Sequence, residues 1–183
     1  AVVARGADAA TRIVSFTVTE AGYYLDPLHR LDTTLPELVA DIDRARRGEA
    51  GSTLYGAVAA ILRARRAAGA GPLTLLNCDN LRHNGERFRA ALLAFLQAAG
   101  ETELAAWAQR HTTSPNTMVD RITPRPPPEL RARVLAATGV DDGAAVTGES
   151  FIQWVIEDDF IAGRPAWERV GVELVHTVLP YEE

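Results

Sequence analysis

The sequence has no lysine, one cysteine and no long hydrophobic run, and each absence narrows what the chain can be. Cys78 has no partner for an internal disulfide and no signal peptide precedes it, so we expect a reducing, cytoplasmic environment. No apolar segment approaches the length that spans a bilayer, and a net charge of -5 provides no electrostatic footprint for nucleic acid. We therefore expect neither a membrane nor a nucleic acid as a partner.

The sequence also lacks the motif of a dinucleotide-binding turn and a set of residues suited to bind a metal ion. A G-x-G-x-x-G turn would hold a dinucleotide pyrophosphate at the start of a helix, but Gly6, Gly22 and Gly51 all lie outside such a motif. The acidic run at 157–159 has no neighbouring histidine, and three adjacent carboxylates cannot converge on one ion. We expect no metal site.

Length and hydrophobic periodicity predict a globular α/β structure. The 183 residues, 47% of them hydrophobic, are enough for one medium domain or for part of one. Apolar segments of strand type alternate with segments of helical spacing, which indicates a sheet with mainly parallel strands and flanking helices. The predicted strands are 13–18, 73–76, 117–122 and 151–156, and the predicted helices include 35–45, 54–66, 87–98, 103–110 and 129–137.

The chain is organised around the stretch 72–85, which reads P-L-T-L-L-N-C-D-N-L-R-H-N-G. Its apolar part, 73–76, is typical of a buried parallel strand, and polar residues follow at 77–80. Ligands of open α/β sheets bind at the carboxyl ends of the strands. A carboxamide such as that of Asn80 can hold a substrate oxygen there without adding a charge. His83, in the same loop, is interpreted as a surface histidine.

Two further places carry polar side chains near a strand end. The strand predicted at 13–18 finishes at Thr19 and Glu20, which face either a ligand or a strand-to-turn junction capped by a hydroxyl. Asp120 and Arg121 lie within the strand predicted at 117–122. Neighbouring residues of a strand point to opposite faces, so an exposed pair of charges is the simplest interpretation of these two residues.

Three motifs carry a resemblance to a known family. They are C-D-N-L-x-x-N-G in the central stretch, P-N-x-M-V-D-R-I-T-P at 115–124 and Q-W-V-I-E-D-x-F-x-A-G-R-P-A-W-E at 153–168. Together they resemble the long-chain polyol dehydrogenases, the mannitol and arabinitol dehydrogenase group. The resemblance implies NAD-dependent oxidation of a secondary alcohol of D-arabinitol or D-mannitol to the ketose, without a metal. The segments G-E-S-F-I-Q-W and V-L-P-Y-E-E favour the arabinitol branch.

The resemblance also implies roles for individual residues. Asn80 would donate an amide hydrogen bond to the developing alkoxide, as in an oxyanion hole, and Glu182 would lie on the proton path to solvent. The residues implied on the nicotinamide side of the cleft are Thr19, Glu20, Val119 and Asp120. For Arg121, a structural ion pair is an equally good interpretation.

The family's general base is a lysine in the pattern Lys-x-x-x-x-Asn-x-x-His, which is expected just beyond Glu183. Residues 1–183 would then be the later part of a Rossmann-like domain, without its first strands and without the family's helical C-terminal domain. We expect such a chain, which begins at Ala1, to need the remainder of its polypeptide as a partner. The alternative is a truncated, non-catalytic member of the family that acts as a binding or interaction protein.

Overall fold

The computed structural model describes residues 1–120 and 125–182, except for the side chain of Asp120. The described residues contain both helices and strands, as the sequence predicts, with pairs of helices before β2 and before β3. The helices are α1 (Val2–Ala7), α2 (Pro36–Arg46), α3 (Leu54–Ala67), α4 (Asn84–Ala98), α5 (Thr102–His111) and α6 (Leu130–Thr138). The strands are β1 (Ile13–Phe16), β2 (Leu73–Asn77), β3 (Thr112–Thr113), β4 (Thr117–Asp120), β5 (Gln153–Glu157) and β6 (Glu173–Val175).

The first sheet is parallel throughout and has the order β1-β2-β3. All five residues of β2, which reads L-T-L-L-N, are buried, so the segment lacks the alternation of buried and exposed positions that a half-buried strand has. The ladder between β1 and β2 ends where Phe16 pairs with Asn77. The carboxyl ends of these two strands therefore lie side by side.

Helices α3 and α4 bury their apolar faces in one core with β2. Both helices have the 3.6-residue apolar period that predicts an amphipathic helix. Tyr55 of α3 stacks on Phe88 and Phe95 of α4, with ring centroids 5.9 and 6.1 Å apart. These three aromatic side chains are completely buried, so they fix the two helices against each other and against the sheet.

The second sheet corrects the expectation of a single sheet. Its order is β4-β5-β6, in which β4 runs antiparallel to β5 and β6 runs parallel to it. Strand β3 is only two residues long because Ser114 and Pro115 follow it, and proline has no N–H group to extend the ladder. The chain therefore leaves the first sheet there and starts the second sheet at Thr117.

Several boundaries differ from those predicted. Strand β1 ends at Phe16 rather than at 18, and α4 begins at Asn84 rather than at 87. Leu35 occupies the N-cap of α2 without a side-chain hydrogen bond. Thr53 caps α3, since its hydroxyl accepts from the Gly56 N–H group. The predicted strand 117–122 is described as far as 120, and its last two positions lie outside the described residues.

The later half of the chain leaves large apolar side chains in solvent. Those at least half exposed after residue 125 are Val140, Val146, Phe151, Ile152 and Val170. Among the described residues, no helix has the length and apolar character needed to cross a membrane.

Candidate active site

The site is built on the adjoining carboxyl ends of β1 and β2. Beyond the last ladder pair, the Cys78 N–H group donates to the Phe16 carbonyl oxygen at 2.9 Å, and the Thr17 hydroxyl donates to the Cys78 carbonyl oxygen at 3.2 Å. Burial raises the pKa of the half-buried Cys78 thiol. This thiol is therefore less ionised than an ordinary cysteine, which agrees with a structural role.

Asp79 connects the two strand ends. Its side chain is 4% exposed. One carboxylate oxygen accepts from the Val18 N–H group at 2.7 Å, and the other accepts from the Tyr23 hydroxyl, which in turn accepts from the Asn77 amide. Burial raises the pKa of Asp79, and burial together with the hydrogen bond to Asp79 raises the pKa of Tyr23. Asp79 therefore fixes the loop after β2 to the end of β1.

Asn84 connects the same loop to β4. Its amide nitrogen donates to the Asp79 carbonyl and to the Thr117 carbonyl, both at 3.1 Å. Its amide oxygen accepts from the Gly85 and Thr117 N–H groups at 2.8 and 3.0 Å. The first turn of α4 is thus held against the start of β4.

A cavity of about 210 Å³ opens between this loop, β4 and the last described residues. Asn80, Val119 and Glu182, three of the predicted site residues, all line it. Asn80 is exposed, whereas Val119 and Glu182 are half-buried. The fold therefore brings together residues that are 39 and 102 positions from Asn80 along the chain.

Glu182 is held by the loop that carries Asn80. One of its carboxylate oxygens, Oε1, accepts from the His83 N–H group at 2.9 Å, and its carbonyl oxygen accepts from the Arg82 guanidinium at 2.8 Å. Its second carboxylate oxygen, Oε2, is buried and has no hydrogen-bond partner among the described residues. His83 precedes α4 as its N-cap, and its side chain, which is 39% exposed, makes no capping hydrogen bond. Its interpretation as a surface histidine stays a prediction.

Glu157, at the end of β5, holds the start of the segment that leads to Glu182. Its carboxylate accepts from the Val178 N–H group at 3.2 Å, and from the N–H group and the amide of Asn116 at 3.2 and 3.0 Å. Asn116 also accepts from the Glu86 N–H group at 3.1 Å. The second sheet is thereby joined to α4 and to the segment beside the cavity.

The remaining predicted site residues lie elsewhere or cannot be placed fully. Thr19 and Glu20 are exposed at the end of β1, and neither is among the described residues that line the cavity. Thr19 precedes a 3₁₀ turn, Glu20–Tyr23, but its hydroxyl does not cap it, so the alternative of a hydroxyl-capped junction is wrong. The backbone of Asp120, at the end of β4, pairs with Gln153 of β5, whereas Arg121 lies outside the described residues.

The comparison with protein families decides how this geometry is classified. Residues 2–169 match the model of the mannitol dehydrogenase Rossmann domain. The chain belongs to the mannitol dehydrogenase family. The match covers all of the first sheet, the loop 77–85 and the strands of the second sheet up to β5.

Two relatives with high sequence identity are named as dehydrogenases of a sugar alcohol. The chain is 62% identical over 183 residues to D-arabinitol 4-dehydrogenase of Ralstonia nicotianae, covering 100% of the chain and 38% of that protein. It is 55% identical over 178 residues to D-arabinitol 4-dehydrogenase of Klebsiella pneumoniae, covering 97% of the chain and 38% of that protein. The chain thus spans less than two fifths of the length of these relatives.

A solved structure of the family has the same fold. Mannitol 2-dehydrogenase of Pseudomonas fluorescens, in a ternary complex with NAD and D-mannitol, superposes with a TM-score of 0.83 at 42% sequence identity. The superposition covers 99% of this chain and 36% of that protein. The mixed α/β architecture described above is therefore that of a Rossmann-fold polyol dehydrogenase.

Sequence analysis missed the buried groups that hold the cavity in shape. Asp79 stands beside Asn80 in the C-D-N motif, but its bonds to Val18 and Tyr23 join positions more than 50 residues apart. The sequence around Glu157 shows only that it belongs to an acidic run. Within the described residues, no group of three or more histidine, cysteine or acidic side chains is arranged to hold a metal ion. Local sequence carries no signal for such long-range partners.

Proposed function

We propose that this chain supplies the substrate-facing part of an NAD-dependent polyol dehydrogenase, which oxidises a secondary alcohol of a sugar alcohol to the ketose. The observation that carries the proposal is the cavity in which Asn80, Val119 and Glu182 meet, in a chain of the mannitol dehydrogenase family. A neutral amide and a carboxylate on one small cavity suit an alcohol that must lose a proton as its oxygen gains negative charge.

The residues at the strand ends suit the nicotinamide end of NAD. Thr19 and Glu20 are exposed at the carboxyl edge of β1, where α/β sheets bind ligands, and Val119 adds an apolar surface to the cavity. When bound, NAD supplies the acceptor for the hydrogen that leaves the carbinol carbon. In this proposal Thr19, Glu20, Val119 and Asp120 orient that acceptor.

The chain's own residues then have two tasks in the reaction. The Asn80 amide donates a hydrogen bond to the substrate oxygen and stabilises the charge that develops there. Oε2 of Glu182, the carboxylate oxygen without a hydrogen-bond partner among the described residues, accepts the proton on its way to solvent. The first acceptor of that proton is a lysine in the family's pattern, and this chain contains none. That step therefore belongs to polypeptide outside these 183 residues.

D-Arabinitol is the proposed substrate. Identities of 62% and 55% to two D-arabinitol 4-dehydrogenases exceed the 46% to a mannitol 2-dehydrogenase of Cereibacter sphaeroides. The exposed apolar side chains after residue 125 support contact with further polypeptide, since solvent-exposed apolar patches mark interaction surfaces. We propose that this polypeptide is the remainder of the parent protein, and that residues 1–183 form the later part of its Rossmann-like domain.

The proposed location is the cytoplasm, with which a free Cys78 agrees.

The test is an assay of NADH formation with the protein that the complete reading frame encodes, using D-arabinitol, D-mannitol and D-sorbitol. We expect turnover with the highest kcat/KM for D-arabinitol. Replacing Asn80 by alanine removes one donor to the developing alkoxide, so we expect kcat to fall by about 10²–10³-fold.

The control is Gln97→Ala, which removes an exposed amide from α4, the helix that follows the same loop. Its kcat should stay within twofold of that of the unmodified protein. Absence of NADH formation with every polyol would favour the non-catalytic alternative. Equal losses in the Asn80 and Gln97 variants would remove Asn80 from the proposed mechanism.

A further inference from the structure

The segment 178–182 is anchored at both of its ends. At its start, the buried Val178 donates its N–H group to Glu157 at 3.2 Å. At its end, Glu182 receives one hydrogen bond from Arg82 and one from His83. The partners come from two different parts of the fold, so neither anchor alone determines where the Glu182 carboxylate lies.

The backbone of His83 has an uncommon conformation at this contact. Its dihedral angles are φ 54° and ψ 37°, in the left-handed region that non-glycine residues adopt at a cost. Such outliers persist where surrounding structure holds them, and they often mark functional places. Here the conformation aims the N–H group of His83 at Oε1 of Glu182, while α4 begins at the next residue.

The two carboxylate oxygens of Glu182 consequently differ in their hydrogen bonding. Oε1 is occupied by the His83 N–H group, whereas Oε2 is buried without a partner among the described residues. A buried polar atom without a partner carries a free-energy cost, and native proteins retain few of them. Because Glu182 lines the cavity and its Oε1 is already bonded, Oε2 is the oxygen of this carboxylate that remains for proton transfer.

We propose that Arg82 and His83 are positioning residues that clamp Glu182 so that Oε2 faces the cavity as the proton-accepting atom. This inference rests on the proposed dehydrogenase function. His83 acts through its main-chain N–H group. Arg82, which also lines the cavity, acts through its guanidinium on the main-chain carbonyl oxygen of Glu182. The loop that carries Asn80 thereby sets the position of both the Asn80 amide and the Glu182 carboxylate. The relative position of these two groups is therefore fixed by one loop.

The experiment measures kcat, KM for D-arabinitol and the solvent deuterium isotope effect on kcat in the complete protein. Arg82→Ala removes one bond to Glu182, and we expect kcat to fall about 5- to 10-fold with KM within twofold, because the clamp acts on proton transfer. The isotope effect should rise, since proton transfer then limits turnover more strongly. A loss of folded protein would lower kcat without changing the isotope effect.

Substitutions at position 83 distinguish the contribution of the main-chain N–H group from that of the imidazole side chain. His83→Gly keeps the N–H group and suits positive φ, whereas His83→Pro removes the N–H group and fixes φ near -65°. We expect kcat of the glycine variant to exceed that of the proline variant at least tenfold. If the proline variant does not fold, as judged by thermal unfolding, the Arg82 variants carry the test.

A double-mutant cycle tests whether Arg82 acts through Glu182. In a Glu182→Gln background, we expect Arg82→Ala to change kcat less than twofold. The control is Arg110→Ala, which removes an exposed arginine of α5 and should change neither kcat nor the isotope effect.

Two results would overturn the inference, and they are distinguishable. If the unmodified protein forms no NADH with any polyol, the proposed function and the clamp fail together. If it is active but Arg82→Ala lowers kcat equally with and without Glu182, or leaves the isotope effect unchanged, the clamp alone is wrong.

Discussion

At the scale of single residues, the most informative group is the buried carboxylate of Asp79. The hydrogen bonds described for it come from neutral donors and not from a cation. Asp79 accepts hydrogen bonds from Val18 and Tyr23, which partly offset the cost of burying its charge. Burial still dominates and raises the pKa of the Asp79 carboxyl. The residue next to the predicted oxyanion amide is therefore one whose charge weakens the fold while its hydrogen bonds maintain the geometry of the site.

This imbalance makes a prediction about pH. The folded protein holds the Asp79 proton more tightly than the unfolded chain, whose aspartates titrate near pH ~3.9. Above the unfolded pKa, the folded state binds more protons at Asp79 than the unfolded state does. The free energy of unfolding therefore falls as pH rises through this range. In Asp79→Asn, which cannot ionise, this loss is absent. Thermal unfolding between pH 4 and pH 7 should show the unmodified protein losing stability relative to the variant as pH rises.

Asp141 provides the matched control with the opposite sign. Hydrogen bonds from the Arg131 guanidinium, at 2.6 and 2.7 Å, lower the pKa of the Asp141 carboxyl. Its contribution is therefore present above the unfolded pKa and is lost as pH falls below about 4. In an Asp141→Asn variant the pH-dependent difference should lie in this lower range. A difference between the unmodified protein and Asp79→Asn that is flat, or that grows with pH in favour of the unmodified protein, would contradict the account of Asp79.

At the scale of elements, the start of α4 is the part that joins the two sheets. Asn84 bonds the loop after β2 to Thr117 of β4, and the Glu86 N–H group donates to Asn116. Between these residues, Gly85 passes so close to the chain before β4 that an added methyl group would overlap the carbonyl oxygens of Ser114 and Pro115. Only a residue without a side chain lets the helix approach the second sheet here.

Replacing Gly85 by alanine should therefore push the helix and the loop 114–116 apart. Both obstructing atoms belong to the backbone, which cannot turn aside as a flexible side chain can. Overpacking of this kind costs about 1–3 kcal/mol, and we expect a loss of stability in that range by denaturant unfolding. Because Asn80 lies in the loop that leads into α4 and Val119 lies in the strand that follows 114–116, kcat/KM should fall as well.

Gly143→Ala is the control for the Gly85 variant. Gly143 is exposed in the loop after α6, has no positive φ and has open space where the methyl group would lie. Its stability should stay within about 0.5 kcal/mol of that of the unmodified protein. A Gly85 variant as stable as the Gly143 variant would show that α4 and the loop 114–116 are not in firm contact.

At the scale of the whole molecule, one buried arginine holds the first helix to the rest of the fold. Arg65, on the last turn of α3, is 1% exposed. Each of its five N–H donors meets a main-chain carbonyl oxygen, those of Gly6, Asp8, Ala70, Gly71 and Pro72. The end of α1, the residue that follows it and the turn that enters β2 are thus bonded to a single side chain.

Arg65→Lys preserves the charge but offers three donors in place of five, so at least two buried carbonyl groups lose their partner. Each such loss costs about 1–3 kcal/mol, and we expect two of them to lower the stability by about 2–6 kcal/mol in denaturant unfolding. The matched control is Arg66→Lys. Its ion pair with Glu103, at 2.7 Å, is largely exposed, so the change should cost less than about 1 kcal/mol. Equal effects of the two substitutions would mean that the carbonyl cluster around Arg65 does not stabilise the fold.

The sequence predicted the α/β class and the placement of most elements because hydrophobic period is a local property. The strand at 73–77 and the helix that follows it were located from apolar spacing alone. Boundaries failed where tertiary contacts decide them: α4 starts three residues early because Asn84 is held by Thr117. The division into two sheets was not predictable, since parallel and antiparallel pairing leave no separate mark on short strands.

For the site, sequence by itself determined which family motifs are present and which polar residues follow the strands, because these depend on the order of residues. It identified Asn80, Val119 and Glu182 without showing that they share a cavity. Tertiary structure alone decided the buried partners, namely Tyr23 for Asp79 and the His83 N–H group for Glu182. These contacts join residues 56 and 99 positions apart, and a hydrogen bond across such a distance exists only after packing brings its two ends together.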